Sequence, residues 1–118
     1  MLTPEILENI IRTLDSKKAT DIKVLKITDL TSIADYFVIA SGTSSTHVKA
    51  LADEVEDKLA ASGQEPKNIE GKTTGWILLD YADVVCHIFT PGERDLFNLE
   101  KLWQDAEEVD VSAWITEN

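Results

Sequence analysis

The sequence predicts a single α/β domain in which helices pack on a mixed sheet of about five strands. Two observations lead to this fold class. The 118 residues are enough for one domain with a hydrophobic core and too few for two. Segments with apolar residues at helical spacing alternate along the chain with short apolar runs that are typical of strands.

The first half of the chain predicts two helices and two strands. Thr3 and Pro4 are expected to begin a helix, because a hydroxyl can cap free N–H groups and proline is tolerated in the first turn. Residues 21–28 predict a strand that is either partly buried on both faces or bulged, since its apolar positions change parity midway. The apolar run 36–40 predicts a central strand, and the helix after it should end at Gly63.

A β-hairpin carries the predicted functional surface. Two apolar runs, 76–79 and 84–89, flank a short polar turn. Side chains alternate between the two faces of a strand, so Trp76, Leu78 and Asp80 share one face. A large aromatic, an aliphatic and a carboxylate in one row suit a protein-binding surface better than a closed core.

The segments around the hairpin complete the predicted sheet and its cover. Residues 66–70 predict a short edge strand, since Pro66 cannot donate to a ladder, and 71–75 predict the turn into the hairpin. After a break at 90–92, apolar residues at helical spacing predict one last helix. These residues are Leu96, Phe97, Leu99, Leu102 and Trp103.

The chain is divided into a folded domain, residues 1–104, and an acidic C-terminal tail, residues 105–118. An alternative is that the tail folds back on the domain, because it contains several apolar residues. They are Val109, Val111, Trp114 and Ile115.

Composition restricts the class of partner and the compartment. The formal net charge of −11 disfavours direct binding to a nucleic-acid backbone and favours a basic protein partner. The alternative is that the acidity only keeps the chain soluble. The single cysteine, Cys86, cannot form an internal disulfide, and neither a signal peptide nor a membrane-spanning run is visible. A cytoplasmic protein is therefore expected, and an organellar protein that has lost a targeting segment is the alternative.

The turn at residues 41–45 bears on ligand binding, because it leads from a strand into a helix and could cradle a phosphate. It lacks the lysine of a P-loop, and helix capping by Ser44 or Ser45 is the simpler explanation. A nucleotide-binding or nucleotidyltransferase-like enzyme is kept as the alternative function.

The remaining candidates for chemistry are two pairs of residues. Asp80 and Asp83 could hold a metal, but their spacing across a turn is more typical of turn-forming aspartates. Cys86 and His87 are adjacent in a strand and point to opposite faces, so they do not form a dyad. The sequence therefore predicts no catalytic residue, no cofactor and no metal.

Four ordered blocks of the chain resemble ribosomal silencing factors of the Iojap family. The blocks are residues 32–39, 41–48, 75–80 with 83–89, and 98–103. The family fold is similar to that of nucleotidyltransferases, but this chain lacks the paired strand carboxylates that such catalysis needs.

The resemblance implies a non-catalytic protein that binds the large ribosomal subunit through ribosomal protein uL14. It further implies that the bound protein obstructs joining of the small subunit and so represses translation under nutrient limitation. The partner-binding residues that it implies are Trp76, Leu78 and Asp80, with Glu70 and Asp83 as additions. A homodimer of the free protein, formed through the Trp76 face, is left open.

Overall fold

A mixed sheet runs through the domain and carries helices on both faces. The computed structural model describes residues 2–71 and 75–116. The strands are β1 (Thr20–Lys26), β2 (Tyr36–Ser41), β3 (Asn68–Glu70), β4 (Trp76–Asp80), β5 (Val84–Phe89) and β6 (Glu107–Glu108). The helices are α1 (Thr3–Ser16), α2 (Ser45–Ala61), α3 (Pro91–Phe97) and α4 (Leu99–Leu102), followed by a 3₁₀ turn, Ser112–Trp114. The predicted α/β class is confirmed, with one more strand than expected in the described part of the chain.

The strands lie in the order β3-β4-β5-β2-β1-β6. Strands β2 and β5 are parallel, and every other neighbouring pair is antiparallel. The predicted hairpin is confirmed as β4 and β5, with Trp76 opposite Phe89 and Asp80 opposite Val85. The predicted edge strand is confirmed as β3, which pairs only with β4 among the described strands. The centre of the predicted turn before the hairpin, residues 72–74, lies outside the described residues.

The main core lies between the sheet and helices α1 and α2. Ile77 and Leu79 of β4 point into it and are fully buried. Apolar residues of both helices form its other wall. They are Ile6, Leu7, Ile10, Ile11 and Leu14 of α1, with Val48, Leu51, Ala52, Val55 and Leu59 of α2. This face of the sheet is therefore closed by helices.

The opposite face carries a smaller core beneath α4 and the connecting segments. Its buried members are Leu25, Ile27, Ala34, Phe37, Ile39, Val85 and Phe89. Leu99 and Trp103 pack against them, and Trp76 and Leu78 lie half-buried at the border. Asn68 and Glu70 of β3 are exposed on this side. The face that carries Trp76 is thus covered over the central strands and more open over β3 and β4.

The prediction of one last helix is wrong, because the chain breaks at Asn98 into α3 and α4. Asn98 adopts a left-handed conformation with φ 47° and ψ 55°, which a continuous helix does not allow. Its side-chain oxygen accepts the N–H of Lys101 and so caps α4. As a result, Leu96, Phe97 and Leu102 are exposed and do not form one buried stripe.

Two other local predictions have different outcomes. Leu2 occupies the N-cap position of α1, so the predicted capping by Thr3 is wrong. The Thr3 hydroxyl donates instead to Asp83 Oδ2 at 3.1 Å and ties α1 to the turn of the hairpin. The bulge considered for the first strand is confirmed between Thr20 and Lys23, where Asp21 has a φ of 49°. The change of parity lies beyond the bulge: Val24 is buried in the main core and Leu25 in the smaller core, so the strand is also buried on both faces.

The described part of the acidic tail folds back on the domain, which is the alternative that the sequence left open. Strand β6 pairs with β1, and the N–H of Val109 donates to the carbonyl of Val24 at 2.8 Å. Val111 is buried in the main core, where Trp114 and Ile115 also pack. Burial of these apolar side chains holds residues 107–115 against the sheet and α1. The described residues include no helix long and apolar enough to cross a membrane.

Candidate protein-binding site

Trp76 is the central side chain of the candidate site and lies half-buried at the start of β4. Its ring stacks on Phe89 of β5, with the centroids 5.0 Å apart, and lies 4.6 Å from the ring of Phe97 on α3. Its Nε1–H donates to His87 Nδ1 at 3.2 Å. These contacts hold the indole in one orientation at the border of the smaller core and leave part of its surface accessible.

His87 positions the indole of Trp76, a role that the sequence analysis missed. It is only 4% exposed, and the ring of Phe37 meets it edge-on at 4.7 Å. Because Nδ1 accepts from Trp76, the neutral ring carries its proton on Nε2, which has no hydrogen-bond partner in the described part of the chain. Burial lowers the pKa of His87 to about 4, so the ring stays neutral at physiological pH.

A groove of about 510 Å³ lies beside Trp76. Its apolar walls come from Trp76 and Leu78 of β4 and from Phe97 of α3, and the carboxylates of Glu70 and Glu93 also line it. Glu70 lies opposite Leu78 in the register of β3 and β4, so the two side chains share a face. A groove of this size can hold a side chain of a partner protein or a small ligand.

Gly75 sets the position of Glu93. A Cβ atom at residue 75 would come within 2.7 Å of Glu93 Cγ and 2.9 Å of Thr90 Oγ1. The N–H of Thr90 donates to the carbonyl of Gly75 at 2.8 Å and holds the two segments together. Because glycine has no side chain, Glu93 can lie directly against the start of β4.

Arg94 ties α3, which carries Glu93 and Phe97, to the sheet. It is 8% exposed; its Nε donates to Glu100 Oε1 and its Nη1 donates to Ser41 Oγ, both at 2.8 Å. Lys23 Nζ lies 3.2 Å from the other carboxylate oxygen of Glu100. The hydrogen bond from Arg94 is the main cause of a lowered Glu100 pKa. This network fixes one wall of the groove.

Asp80 and Asp83 lie at the far end of the hairpin. Asp80 shares the face of Trp76 and Leu78, and its Oδ1 accepts the N–H of Ala82 at 2.8 Å. This hydrogen bond confirms the prediction of a turn-forming aspartate. Asp83 is exposed in the turn and accepts from Thr3. Within residues 2–71 and 75–116, no three His, Cys, Asp or Glu side chains are grouped to hold a metal ion.

The turn before α2 uses its polar groups internally. Ser44 is the N-cap residue, and its Oγ accepts the N–H of His47 at 3.1 Å, which confirms the capping explanation. His47 Nδ1 in turn accepts the N–H of Thr43 at 2.9 Å, and its Nε2 donates to the carbonyl of Lys17. Two of the amides that a phosphate would need are therefore already engaged.

The structure brings together Glu70, Trp76 and Leu78 from the predicted partner-binding residues. It places Asp80 further along the same row and Asp83 in the turn beyond it. Glu93 and Phe97 belong to the same groove, and the sequence analysis missed both. The helical spacing of Phe97 with Leu96 and Leu99 indicated a buried residue, and it is 47% exposed.

Fold and site together define the class of the protein: an α/β domain that presents a half-buried tryptophan and carboxylates on the open part of a sheet face. Residues 2–118 match the family model described as ribosomal silencing factor during starvation. The chain belongs to this family, and the resemblance noted in the sequence is confirmed.

Individual relatives agree with the family match. The ribosomal silencing factor of Halalkalibacterium halodurans is 38% identical over 117 residues, which cover 98% of this chain and 100% of the relative. A mouse protein named mitochondrial assembly of ribosomal large subunit protein 1 is 32% identical over 101 residues, which cover 82% of this chain and 44% of that protein. The crystal structure of a Chromobacterium violaceum protein has a TM-score of 0.85 at 37% identity, covering 88% of each chain.

Proposed function

We propose that this protein binds the large ribosomal subunit through ribosomal protein uL14 and sterically blocks joining of the small subunit. Translation is thereby repressed under nutrient limitation. Membership of the ribosomal silencing factor family supports this role, and the mouse relative is named for assembly of the large subunit. The domain acts in the cytoplasm by occupying a surface, and it needs neither turnover nor a cofactor.

The observation that carries the proposal is the half-buried Trp76 beside Leu78 on the open part of the sheet face. A tryptophan side chain can bury roughly 150–250 Å², and Phe89 and Phe97 already cover part of this one. If about half remains for a partner, its desolvation contributes roughly 2–3 kcal/mol at about 25 cal/mol per Å². Trp76→Ala should therefore weaken binding roughly 30- to 150-fold.

Charge supports a basic ribosomal protein as the partner. The chain has a formal net charge of −11. Asp80 is half-buried on the face of Trp76, and Glu70 and Asp83 are exposed on either side of it. Carboxylates around an aromatic anchor steer the encounter with a basic surface and fix its orientation. These three acids complete the proposed contact with Trp76 and Leu78.

Co-sedimentation with isolated large subunits and, separately, small subunits tests the proposed binding. We expect wild type to sediment with large subunits only and Trp76→Ala to lose most of the binding. Asp80→Asn removes the charge and keeps an oxygen that can accept from Ala82, so it tests charge without breaking the turn. Leu102→Ala is the matched control, because Leu102 is 72% exposed on α4 and does not line the groove. Wild-type protein that binds neither subunit would refute the proposal.

The proposed mechanism has its own test. Large subunits saturated with the protein are mixed with small subunits, and formation of the joined ribosome is followed by light scattering. We expect joining to fall in proportion to occupancy, and normal joining on fully occupied subunits would rule out a steric block.

Sedimentation of the free protein shows whether the Trp76 face also pairs with a second copy, since Trp76→Ala should then convert the dimer to a monomer.

A further inference from the structure

We infer that the groove beside Trp76 receives one arginine side chain of the partner protein, and that Glu93 on α3 selects for its positive charge. The inference rests on the proposed function only in taking the groove to be part of the partner-binding surface. It adds a residue and a ligand chemistry that the family resemblance does not assign.

The walls of the groove present aromatic and aliphatic surface. Trp76 and Phe97 meet at 4.6 Å with their planes inclined by 45°, and Leu78 continues the apolar surface along β4. A guanidinium group stacks favourably on aromatic faces, and the methylene stem of arginine covers aliphatic surface. An arginine side chain thus matches the apolar lining along its whole length.

Two glutamates line the groove. Glu70 enters from β3 and Glu93 from α3, so negative charge lines the groove from two elements. Neither carboxylate forms an ion pair with a lysine or arginine of the described residues. The planar guanidinium presents five N–H donors and can meet a carboxylate through two of them, which an ammonium group cannot do. Arginine is therefore the occupant that this lining favours.

Charge favours an arginine of another protein over one of a second copy. The chain contains only two arginines, Arg12 and Arg94. Arg94 is buried in its network with Ser41 and Glu100, and Arg12 on α1 is paired with Glu8 at 2.7 Å. Arg94 of a second copy is buried, whereas its Arg12 forms only an exposed, weak pair with Glu8, so what disfavours a second copy is its own net charge of −11. The acidic balance of the whole chain likewise favours a basic partner.

Blocked tripeptides test the inference without the ribosome. The probes are Ac-Gly-Arg-Gly-NH₂ and two analogues in which lysine or the neutral isostere citrulline replaces arginine. Amide and indole N–H signals of the isotope-labelled protein are followed by NMR, with Trp76 Nε1–H and the Gly75 amide as reporters. We expect the arginine peptide to shift both reporters saturably in the millimolar range, lysine to bind more weakly, and citrulline to cause no shift.

Three variants separate a specific contact from general acidity. Glu93→Gln should weaken the arginine peptide about tenfold, because it removes the charge of one carboxylate. Gly75→Ala should have a similar effect, because its Cβ displaces Glu93. Asp95→Asn is the matched control: it removes the same charge from the same helix, and Asp95 is exposed and does not line this groove. We expect no loss of binding for it.

The outcomes distinguish this inference from the proposed function. Equal shifts with arginine and citrulline, equal effects of Glu93→Gln and Asp95→Asn, or no shift with the arginine peptide each overturn the inference. Binding of the same variants to large subunits is measured separately by co-sedimentation. If wild type binds the peptide and not the subunit, the proposed function is refuted and the inferred arginine site is supported. If wild type binds the subunit through Trp76 and not the peptide, only the inferred arginine site is refuted.

Discussion

Replacement of Arg94 by alanine removes a buried polar tie between α3 and the sheet. The substitution deletes hydrogen bonds to Glu100 and to Ser41, both 2.8 Å long. Breaking a buried ion pair costs about 3–5 kcal/mol, but Glu100 is 28% exposed and keeps Lys23 as a partner. Ser41, 3% exposed, is left without its donor at a cost of about 1 kcal/mol. We therefore expect the free energy of unfolding to fall by about 2–4 kcal/mol.

Urea unfolding followed by circular dichroism measures this loss. With a slope of about 2 kcal/mol per molar urea, the midpoint should fall by roughly 1–2 M. Arg12→Ala is the matched control, because Arg12 forms an exposed pair with Glu8 and its loss should cost less than about 1 kcal/mol. Equal destabilisation by the two substitutions would refute the reasoning, since the buried Arg94 network would then contribute no more to the free energy of unfolding than an exposed ion pair.

The same network predicts a dependence on pH. Because Arg94 lowers the pKa of Glu100 below its ordinary 4.5, the folded protein holds that proton less tightly than the unfolded chain. The contribution to stability is therefore present above the unfolded pKa and is lost as the pH falls through the lower folded pKa. In Arg94→Ala this part of the acid destabilisation should disappear. A double-mutant cycle with Glu100→Gln should give a coupling of about 1–3 kcal/mol.

Three further predictions concern single residues. Burial lowers the pKa of His87 from 6.5 to about 4, so the unfolded chain takes up a proton before the folded protein does as the pH falls. The free energy of unfolding should therefore drop by up to about 3 kcal/mol between pH 6.5 and about 4. Urea titrations of His87→Phe should show no such drop. Gly63 has a φ of +84°, so Gly63→Ala should cost about 1 kcal/mol in thermal unfolding, whereas Gly92→Ala, whose Cβ also meets nothing within 4 Å, should not destabilise. Cys86 is fully buried and its thiol pKa is raised to about 12, so a thiol reagent should label it only on unfolding, and rapid labelling of the folded protein would contradict this.

The hairpin could be predicted because its signals are local. Alternation along a strand places Trp76, Leu78 and Asp80 on one face whatever surrounds the strand. The same alternation places Ile77 and Leu79 on the opposite, apolar face of the strand. Nothing within β4 itself indicates what covers the Trp76 side, and that information lies in the contacts of Phe89, Phe97 and His87.

The sequence did not predict the wall of the groove that α3 provides, and the reason is physical. Helical spacing from Leu96 to Trp103 predicts one buried stripe, but Asn98 turns left-handed and changes the direction of the chain. Asparagine adopts that conformation more readily than most residues, and it occurs often enough within helices that its presence alone does not mark a break. Phe97 therefore reaches Trp76, and Glu93 follows because Gly75 leaves room for it.

The course of the tail could not be settled from its composition. Strand β6 is only two residues long, too short to show a period. Val111 and Trp114 are apolar residues in an acidic segment, and whether they are buried depends on the surface that α1 and β1 offer them. Long-range packing decided the outcome, and packing of this kind has no local signature.

The parallel pairing of β2 with β5 has a consequence for how the chain folds. These neighbours form the middle of the sheet, yet everything from Gly42 to Asp83 lies between them in sequence. The chain must close this long loop before the centre of the sheet can form, whereas the β4–β5 hairpin needs only a short turn. A growing chain that ends before Phe89 lacks the strand that completes the centre. Cooperative folding during synthesis is therefore expected only once β5 has left the ribosomal exit tunnel.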